Sequence, residues 1–189
     1  MKIYLASRSP RRQQLLQQAG IPYQLVEVEI DENWDGVERP QEYVERMARE
    51  KAMGGARVLE IPDRCIFLGA DTAVILDDMI LGKAEDTEQA KQMLLQLSGR
   101  KHFVYTAVAI LKQSKIFTTT SISSICFKHL SSEEIDRYCN TGEPVGKAGG
   151  YAIQGRAATF VNYMEGSYSG VVGLPLYETC ELLEDIGFN

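Results

Sequence analysis

Ile3-Tyr4-Leu5-Ala6-Ser7-Arg8-Ser9-Pro10-Arg11-Arg12 carries an apolar run straight into a basic helix start. Ile3, Tyr4 and Leu5 suit a buried strand, the serines offer capping oxygens, and Pro10 fits the first helical turn, where its missing N–H costs nothing. The free amides of that turn point at whatever occupies the loop. Helix N-termini carry partial positive charge, and Arg8, Arg11 and Arg12 add full charges able to form forked hydrogen bonds to phosphate oxygens. The alternative is a basic first turn on a solvated helix. Arginine there opposes the helix dipole, so it calls for an anionic partner.

Strand-like and helix-like segments alternate from this unit onward, without low-complexity tracts, repeats or a linker rich in Pro, Gly or Ser, which predicts an α/β fold in one domain, 1–189. The first helix stops near Gly20. After the acidic stretch 27–35 and Pro40, the positions Tyr43, Val44, Met47, Ala48, Ala52, Ala56 and Leu59 recur at helical spacing and predict a long amphipathic helix. Cys65-Ile66-Phe67-Leu68 and Ala73-Val74-Ile75-Leu76 are strand-like runs flanking Gly69-Ala70-Asp71-Thr72, with a turn at Asp77-Asp78. Asp86 and Gln89 form a capping pair for a helix that buries Ala90, Met93, Leu94 and Leu97 and ends at Gly99. Residues 102–112 and 116–127 read as a β-hairpin across Gln113-Ser114-Lys115. A short helix starts at Ser131-Ser132-Glu133-Glu134 and ends near Thr141-Gly142. The glycine-rich segment 146–155 precedes a strand at 159–163, and Pro175 opens a last helix closed by Gly187.

The net charge of −6 argues against a nucleic acid polymer as partner, which would demand a broad basic surface, so any phosphate site is a local basic pocket. Hydrophobic residues at 44% supply a full core. Cys65, Cys126, Cys139 and Cys180 lack Cys-x-x-Cys spacing and do not cluster with His102 and His129, so they read as small core hydrophobes rather than zinc ligands. No charged-then-apolar leader and no apolar run of spanning length appears, which predicts a soluble cytoplasmic protein without a membrane partner.

Asp71 is the sharpest acid candidate, because a carboxylate within an apolar strand is costly unless it is paired or metal-bound. An aspartate that ends the strand by bonding local amides is the alternative. Lys51, beside Glu50, and Lys83, in Leu81-Gly82-Lys83-Ala84, are ambiguous on their own, since lysines usually stand in solvent. Glu32 offers a carboxylate to a hard divalent cation, or simply belongs to an acidic surface loop. Gly142-Glu143-Pro144 and residues 147–155 form a second dense region, whose closely spaced glycines let the backbone pass near another segment or a ligand; a tight structural turn is the alternative. Gln154 donates and accepts together, which matches an imide edge such as that of uracil or thymine, although many glutamines do nothing of the kind.

Ala6-Ser7-Arg8-Ser9-Pro10-Arg11-Arg12, Glu50-Lys51-Ala52, Gly69-Ala70-Asp71-Thr72, Lys147-Ala148-Gly149-Gly150-Tyr151-Ala152-Ile153-Gln154-Gly155 and Val171-Val172-Gly173-Leu174-Pro175, taken in order, resemble the Maf family of nucleotide pyrophosphatases over nearly the whole chain. The resemblance implies an α/β fold of the Maf and ITPase-like type: a mixed, strongly bent sheet flanked by helices, two lobes with a central cleft, and a homodimer. It implies hydrolysis of a nucleoside triphosphate to the monophosphate and pyrophosphate with a divalent cation, Mg²⁺ or Mn²⁺. Arg11, Thr72 and Gln154 match the branch acting on dTTP, UTP and modified pyrimidine triphosphates rather than the branch acting on 7-methyl-GTP. An arginine or amide donor there would select O4 of uracil or thymine against the amine of cytosine.

Carried over residue by residue, the resemblance makes Asp71 the proton acceptor, places Arg12, Lys51 and Lys83 around the triphosphate with Ser7 and Ser9, and gives Glu32 and Asp71 the metal. Two positions depart from the family's pattern. Ala84 stands where many members have proline, which predicts a looser loop around Lys83, and Gly170 stands where asparagine is frequent. The family's name comes from an association with inhibition of septum formation, so a nucleotide-binding regulator of cell division acting through a protein partner is the rival reading.

Overall fold

The computed structural model describes residues 1–59 and 65–188. In chain order the elements are β1 (Lys2–Leu5), α1 (Pro10–Gln18), β2 (Gln24–Leu25), α2 (Pro40–Leu59), β3 (Cys65–Leu76), β4 (Met79–Leu81), α3 (Thr87–Leu97), β5 (Lys101–Lys112), β6 (Lys115–Phe127) and α4 (Ser132–Cys139). A 3-10 helix (Arg156–Phe160), β7 (Val161–Glu165), α5 (Tyr168–Val172) and α6 (Leu176–Asp185) complete the chain. The strands form one mixed sheet in the order β2-β1-β3-β5-β6-β7, with β4 paired to β3. The expected α/β architecture with a mixed sheet flanked by helices is borne out.

The sheet forks beside β3. One edge of β3 pairs along residues 66–75 with β5. The other edge is shared: parallel β1 takes residues 65–68, and antiparallel β4 takes residues 74–76. Residues 69–73 therefore have no strand neighbour on that side. The loop that leaves β1 toward α1 and the loop that leaves β4 toward α3 both open onto the gap, the kind of switch point where α/β sheets bind ligands.

The two strand-like runs around Gly69-Ala70-Asp71-Thr72 are one continuous strand, which corrects the expectation of two. Its period of two sends Cys65, Phe67, Ala73 and Ile75 to the face covered by Tyr43, Val44, Met47, Ala48 and Ala52 of α2. Ile66, Leu68, Ala70, Val74 and Leu76 face the larger core built with α1, α3, α4 and α6. Asp71 and Thr72 thus point to opposite faces of the same strand.

Local chemistry explains most of the boundaries. Asp77 and Asp78 adopt φ of 51° and 63°, as a tight two-residue hairpin between β3 and β4 requires. The Asp86 carboxylate accepts the Gln89 N–H at 2.8 Å and starts α3. Ser131 and Glu134 cap α4 reciprocally. β2, β4 and α5 are too short for periodicity to reveal, and the last strand begins at Val161 because residues 156–160 form the 3-10 helix. Cys65 and Cys139 are buried as expected, whereas Cys126 and Cys180 are only partly so.

Gly69 sets the distance between α2 and the sheet. A Cβ there would lie 2.2 Å from the Ala48 carbonyl oxygen and 2.6 Å from the Ala52 nitrogen, both backbone atoms that cannot rotate away. Gly69→Ala is therefore expected to force α2 off the strand and to destabilise the protein by about 2–3 kcal/mol, the cost of overpacking a dense core. Urea unfolding checks this: a midpoint within error of the parent would refute the packing account.

Candidate active site

The fork opens into a cleft of about 760 Å³ lined by the loop after β1, the 28–32 segment, β3, Lys83, the 146–154 segment and the end of α5. Ser9 is the N-cap residue of α1, yet its side chain makes no capping bond. Ser7 does the local work instead: its hydroxyl accepts the Ser9 N–H at 3.2 Å and Arg12 Nη1 at 3.1 Å. The first-turn amides of α1 and the Ser9 hydroxyl are left facing the loop.

Arg12 is a buried cation held by neutral oxygens. Its Nε donates to the Gly173 carbonyl at 2.8 Å and its Nη2 to the Thr72 hydroxyl at 3.3 Å. The Thr106 hydroxyl backs this arrangement, donating to the Gly170 carbonyl at 2.7 Å and lying 3.0 Å from Thr72 Oγ1. Burial lowers the Arg12 pKa, and the nearby Asp71 charge works against that shift. Among the described residues no carboxylate forms a salt bridge with Arg12. A buried charge without a direct counter-ion is costly, and an anion in the cleft would remove that cost.

Across the gap lies an alternating ion chain. Lys51, on the α2 turn that Gly69 admits, places Nζ 2.6 Å from Asp71 Oδ1 and 2.8 Å from Glu32 Oε1. Lys83 reaches the other Glu32 oxygen at 2.5 Å. The Tyr43 hydroxyl donates to the Glu32 backbone carbonyl at 2.8 Å and so fixes the acidic segment against α2. Burial pushes the Glu32 carboxyl upward, but the hydrogen bonds and charges of Lys51 and Lys83 outweigh it and bring the pKa down to about 2.

The loop carrying Lys83 is not loosened by the absence of proline. Ala84 N–H donates to the Lys147 carbonyl at 3.1 Å, a bond proline could not make, while Gly146 and Gly149 donate to Ala84 and Gly82 at 2.7 and 3.0 Å. Gly149, Gly150 and Gly155 serve close approach to another chain segment, whereas Gly146 has open space around it. At 149, with φ of 64°, a Cβ would meet Val74 at 2.9 Å.

Arg11 and Gln154 line the cleft beside Lys147, and neither side chain has a hydrogen-bond partner among the described residues. Burial lowers the pKa of Arg11, with Tyr138 opposing. Tyr151 closes the cleft floor, its hydroxyl 2.9 Å from Nε2 of a fully buried His102 that desolvation pushes down to about 4. The structure thus brings Arg12, Lys51, Asp71, Glu32 and Lys83 to one part of the cleft with Ser7 and Ser9. Thr72 bonds to Arg12 rather than to Arg11 or Gln154. Thr106 escaped sequence reasoning because a threonine in a strand reads as a β-former, and Gly173 and Lys147, though inside quoted motifs, act through carbonyls that leave no residue-type signal.

The family model described as Maf-like protein matches residues 2–186. A protein of Chromobacterium violaceum named dTTP/UTP pyrophosphatase is 47% identical, the alignment covering 100% of this chain and 96% of that one. One of the same name from Alkalilimnicola ehrlichii is 49% identical over 97% of this chain and 92% of its own. Among solved structures, a nucleoside-triphosphatase / dITP/XTP pyrophosphatase from Mycobacterium abscessus aligns with 67% of this chain and 74% of its own at a TM-score of 0.47 and 19% identity.

Because the Glu32 carboxyl titrates near 2 in the folded protein against 4.5 for a free side chain, its ion pairs stabilise the fold fully above about pH 4.5 and lose that effect as pH falls toward 2. Glu32→Gln is expected to be less stable than the parent at pH 6, with the gap closing toward pH 2.5. Unfolding midpoints measured across this range would contradict the assignment if the gap stayed constant.

Proposed function

The chain belongs to the Maf-like protein family, and from that membership together with the cleft we propose that it hydrolyses dTTP and UTP to the monophosphate and pyrophosphate. The observation that carries the reading is the buried Arg12, which faces the cleft without a salt-bridge partner, set opposite the Lys51–Asp71–Glu32–Lys83 chain. Three cationic side chains, Arg12, Lys51 and Lys83, converging with a helix N-terminus beside two carboxylates suit a triphosphate better than any neutral ligand. The names of the similar proteins from Chromobacterium violaceum and Alkalilimnicola ehrlichii support the substrate pair.

In this proposal Asp71 accepts the proton of the water that attacks the α-phosphorus, and pyrophosphate leaves. The Lys51 bond engages Oδ1 and holds the carboxylate in place on a strand rather than on a loop. Lys51, Lys83 and Arg12 bind the phosphate oxygens, with the Ser9 hydroxyl and the first-turn amides of α1 completing the cradle beside Ser7. These groups stabilise charge as it moves toward the leaving pyrophosphate, and no covalent intermediate is needed.

Glu32 and Asp71 share one ammonium, so their oxygens already converge on a single point. Two carboxylates with phosphate oxygens and water are the donor set that Mg²⁺ or Mn²⁺ takes, so the residues fit the expected cation. When bound it would neutralise phosphate charge and lower the barrier to the leaving group. Arg11 and Gln154, free of internal bonds, are the candidates for reading O4 and N3 of the base, and Thr72 contributes by steadying Arg12.

The same reading sets the enzyme in the cytoplasm as a homodimer. No helix among the described residues is long and apolar enough to cross a membrane. Phe103, Ile122 and Tyr163 stand exposed on one face of β5, β6 and β7, an apolar surface suited to a second copy. Sedimentation equilibrium should return the mass of two chains, and Ile122→Glu should halve it; a parent protein that sediments as a single chain would reject the dimer.

Pyrophosphate release across dTTP, UTP, CTP, GTP and 7-methyl-GTP tests the activity directly. We expect turnover of dTTP and UTP with Mg²⁺ or Mn²⁺, and a loss of about 10³-fold in kcat for Asp71→Asn, within the range for removing a general base. Full activity in that variant would remove Asp71 from the chemistry, and preference for 7-methyl-GTP would overturn the base assignment.

A further inference from the structure

Gly142-Glu143-Pro144 lies outside the phosphate chemistry, and Glu143 is not among the residues lining the cleft. Its carboxylate is nevertheless bonded to the segment that presents Gln154. Both oxygens accept the Arg156 N–H, at 3.0 and 3.2 Å. Arg156 is the first residue of the 3-10 helix, and its N-cap, Gly155, has no side chain to offer. A carboxylate from a distant loop thus takes the place of a local cap.

Gly155 is matched to that carboxylate. A Cβ at 155 would lie 2.3 Å from Glu143 Oε1 and 2.5 Å from Cδ, so any side chain there would evict the glutamate. The other end of the turn is fixed by Tyr138, whose hydroxyl accepts the Ala152 N–H at 3.1 Å. Burial raises the Tyr138 phenol, and the adjacent Glu143 carboxylate raises it further. The turn closes on itself through Gly155 N–H to the Ala152 carbonyl at 3.0 Å. Both ends of residues 152–156 are therefore pinned, and between them Gln154 projects into the cleft with no bond of its own. The backbone turn fixes where that side chain starts, and no side-chain bond diverts it.

We propose that Glu143 is a positioning residue for base selection: it fixes the turn so that the Gln154 amide meets the pyrimidine edge, without touching substrate itself. The inference rests on the reading that Gln154 contacts the base. It predicts an effect on selectivity rather than on phosphate chemistry, because the Glu143 carboxylate bonds to the turn and the ion chain around Asp71 does not include it.

The test measures kcat and KM for UTP and CTP in the full-length enzyme and in Glu143→Ala, Glu143→Gln, Gly155→Ala, Gln154→Ala and the Glu143→Ala/Gln154→Ala pair. Glu143→Ala should raise KM for UTP about tenfold, the scale of one lost hydrogen bond, with CTP changed less than about twofold. Glu143→Gln, which keeps one acceptor oxygen, should recover part of the loss. Gly155→Ala should reproduce the loss with the glutamate still present, which keeps the test open if Glu143→Ala folds poorly. The double variant should be no worse than Gln154→Ala, since the two residues act in series. Losses that multiply, or equal losses on UTP and CTP, would overturn the proposal. An unchanged UTP-to-CTP ratio in Glu143→Ala beside a collapsed ratio in Gln154→Ala would overturn positioning alone. An unchanged ratio in Gln154→Ala would overturn the base reading and this inference with it.

Discussion

The contact between the α2 backbone and Gly69 governs the rest of the molecule. With no Cβ at that position, the helix settles directly onto β3, and Lys51 comes within bonding distance of Asp71 two residues along the strand. From there a single ammonium spans Asp71 and Glu32 at once. A packing requirement and an electrostatic one are thereby satisfied by a single missing side chain, and the stability of the core and the geometry of the site cannot be varied independently there.

The strand itself divides the labour. Because successive residues of β3 face opposite sides, Asp71 meets Lys51 on the α2 side while Thr72 meets Arg12 on the other. The unpaired stretch 69–73 lets both reach the same opening. Thr106 and the carbonyls of Gly170 and Gly173 then hold the Arg12 end without spending a negative charge on it. The two ends of the cleft differ in kind: one is built from ion pairs on strand and helix, the other from a backbone turn that leaves its polar side chains free.

Much of this was legible in the sequence for physical reasons that can be named. Long periodic segments such as α2 and the β5–β6 hairpin declare themselves, and an aspartate inside an apolar strand is conspicuous because its desolvation must be compensated. The partners that compensate it were not legible as partners. Lys51 and Glu32 look like ordinary solvated residues until α2 and the 28–32 segment are folded against β3, a tertiary effect with no local signature. Ser9 misled because a serine before Pro10 has the chemistry of a cap, while the geometry gave the local bonding to Ser7. Ala84 misled in the opposite direction: losing proline's stiffness mattered less than gaining an N–H for the Lys147 carbonyl.

The ion chain also explains how one cleft can hold so much charge. Bringing Asp71, Glu32, Lys51 and Lys83 partly out of water is expensive, but each carboxylate has an ammonium and each ammonium a carboxylate, so the free protein bears little unpaired charge there. In the proposed reaction a triphosphate offers the same two lysines new oxygens, and each lysine exchanges one anionic partner for another with little further desolvation. In that proposed reaction Lys51 and Lys83 turn to phosphate and free oxygens of Glu32 and Asp71, while Asp71 Oδ2, which the Lys51 bond does not engage, is the acceptor offered to water. On that reading the ion pairs that neutralise the cleft are the bonds the phosphates replace, so charge is exchanged between partners rather than desolvated anew.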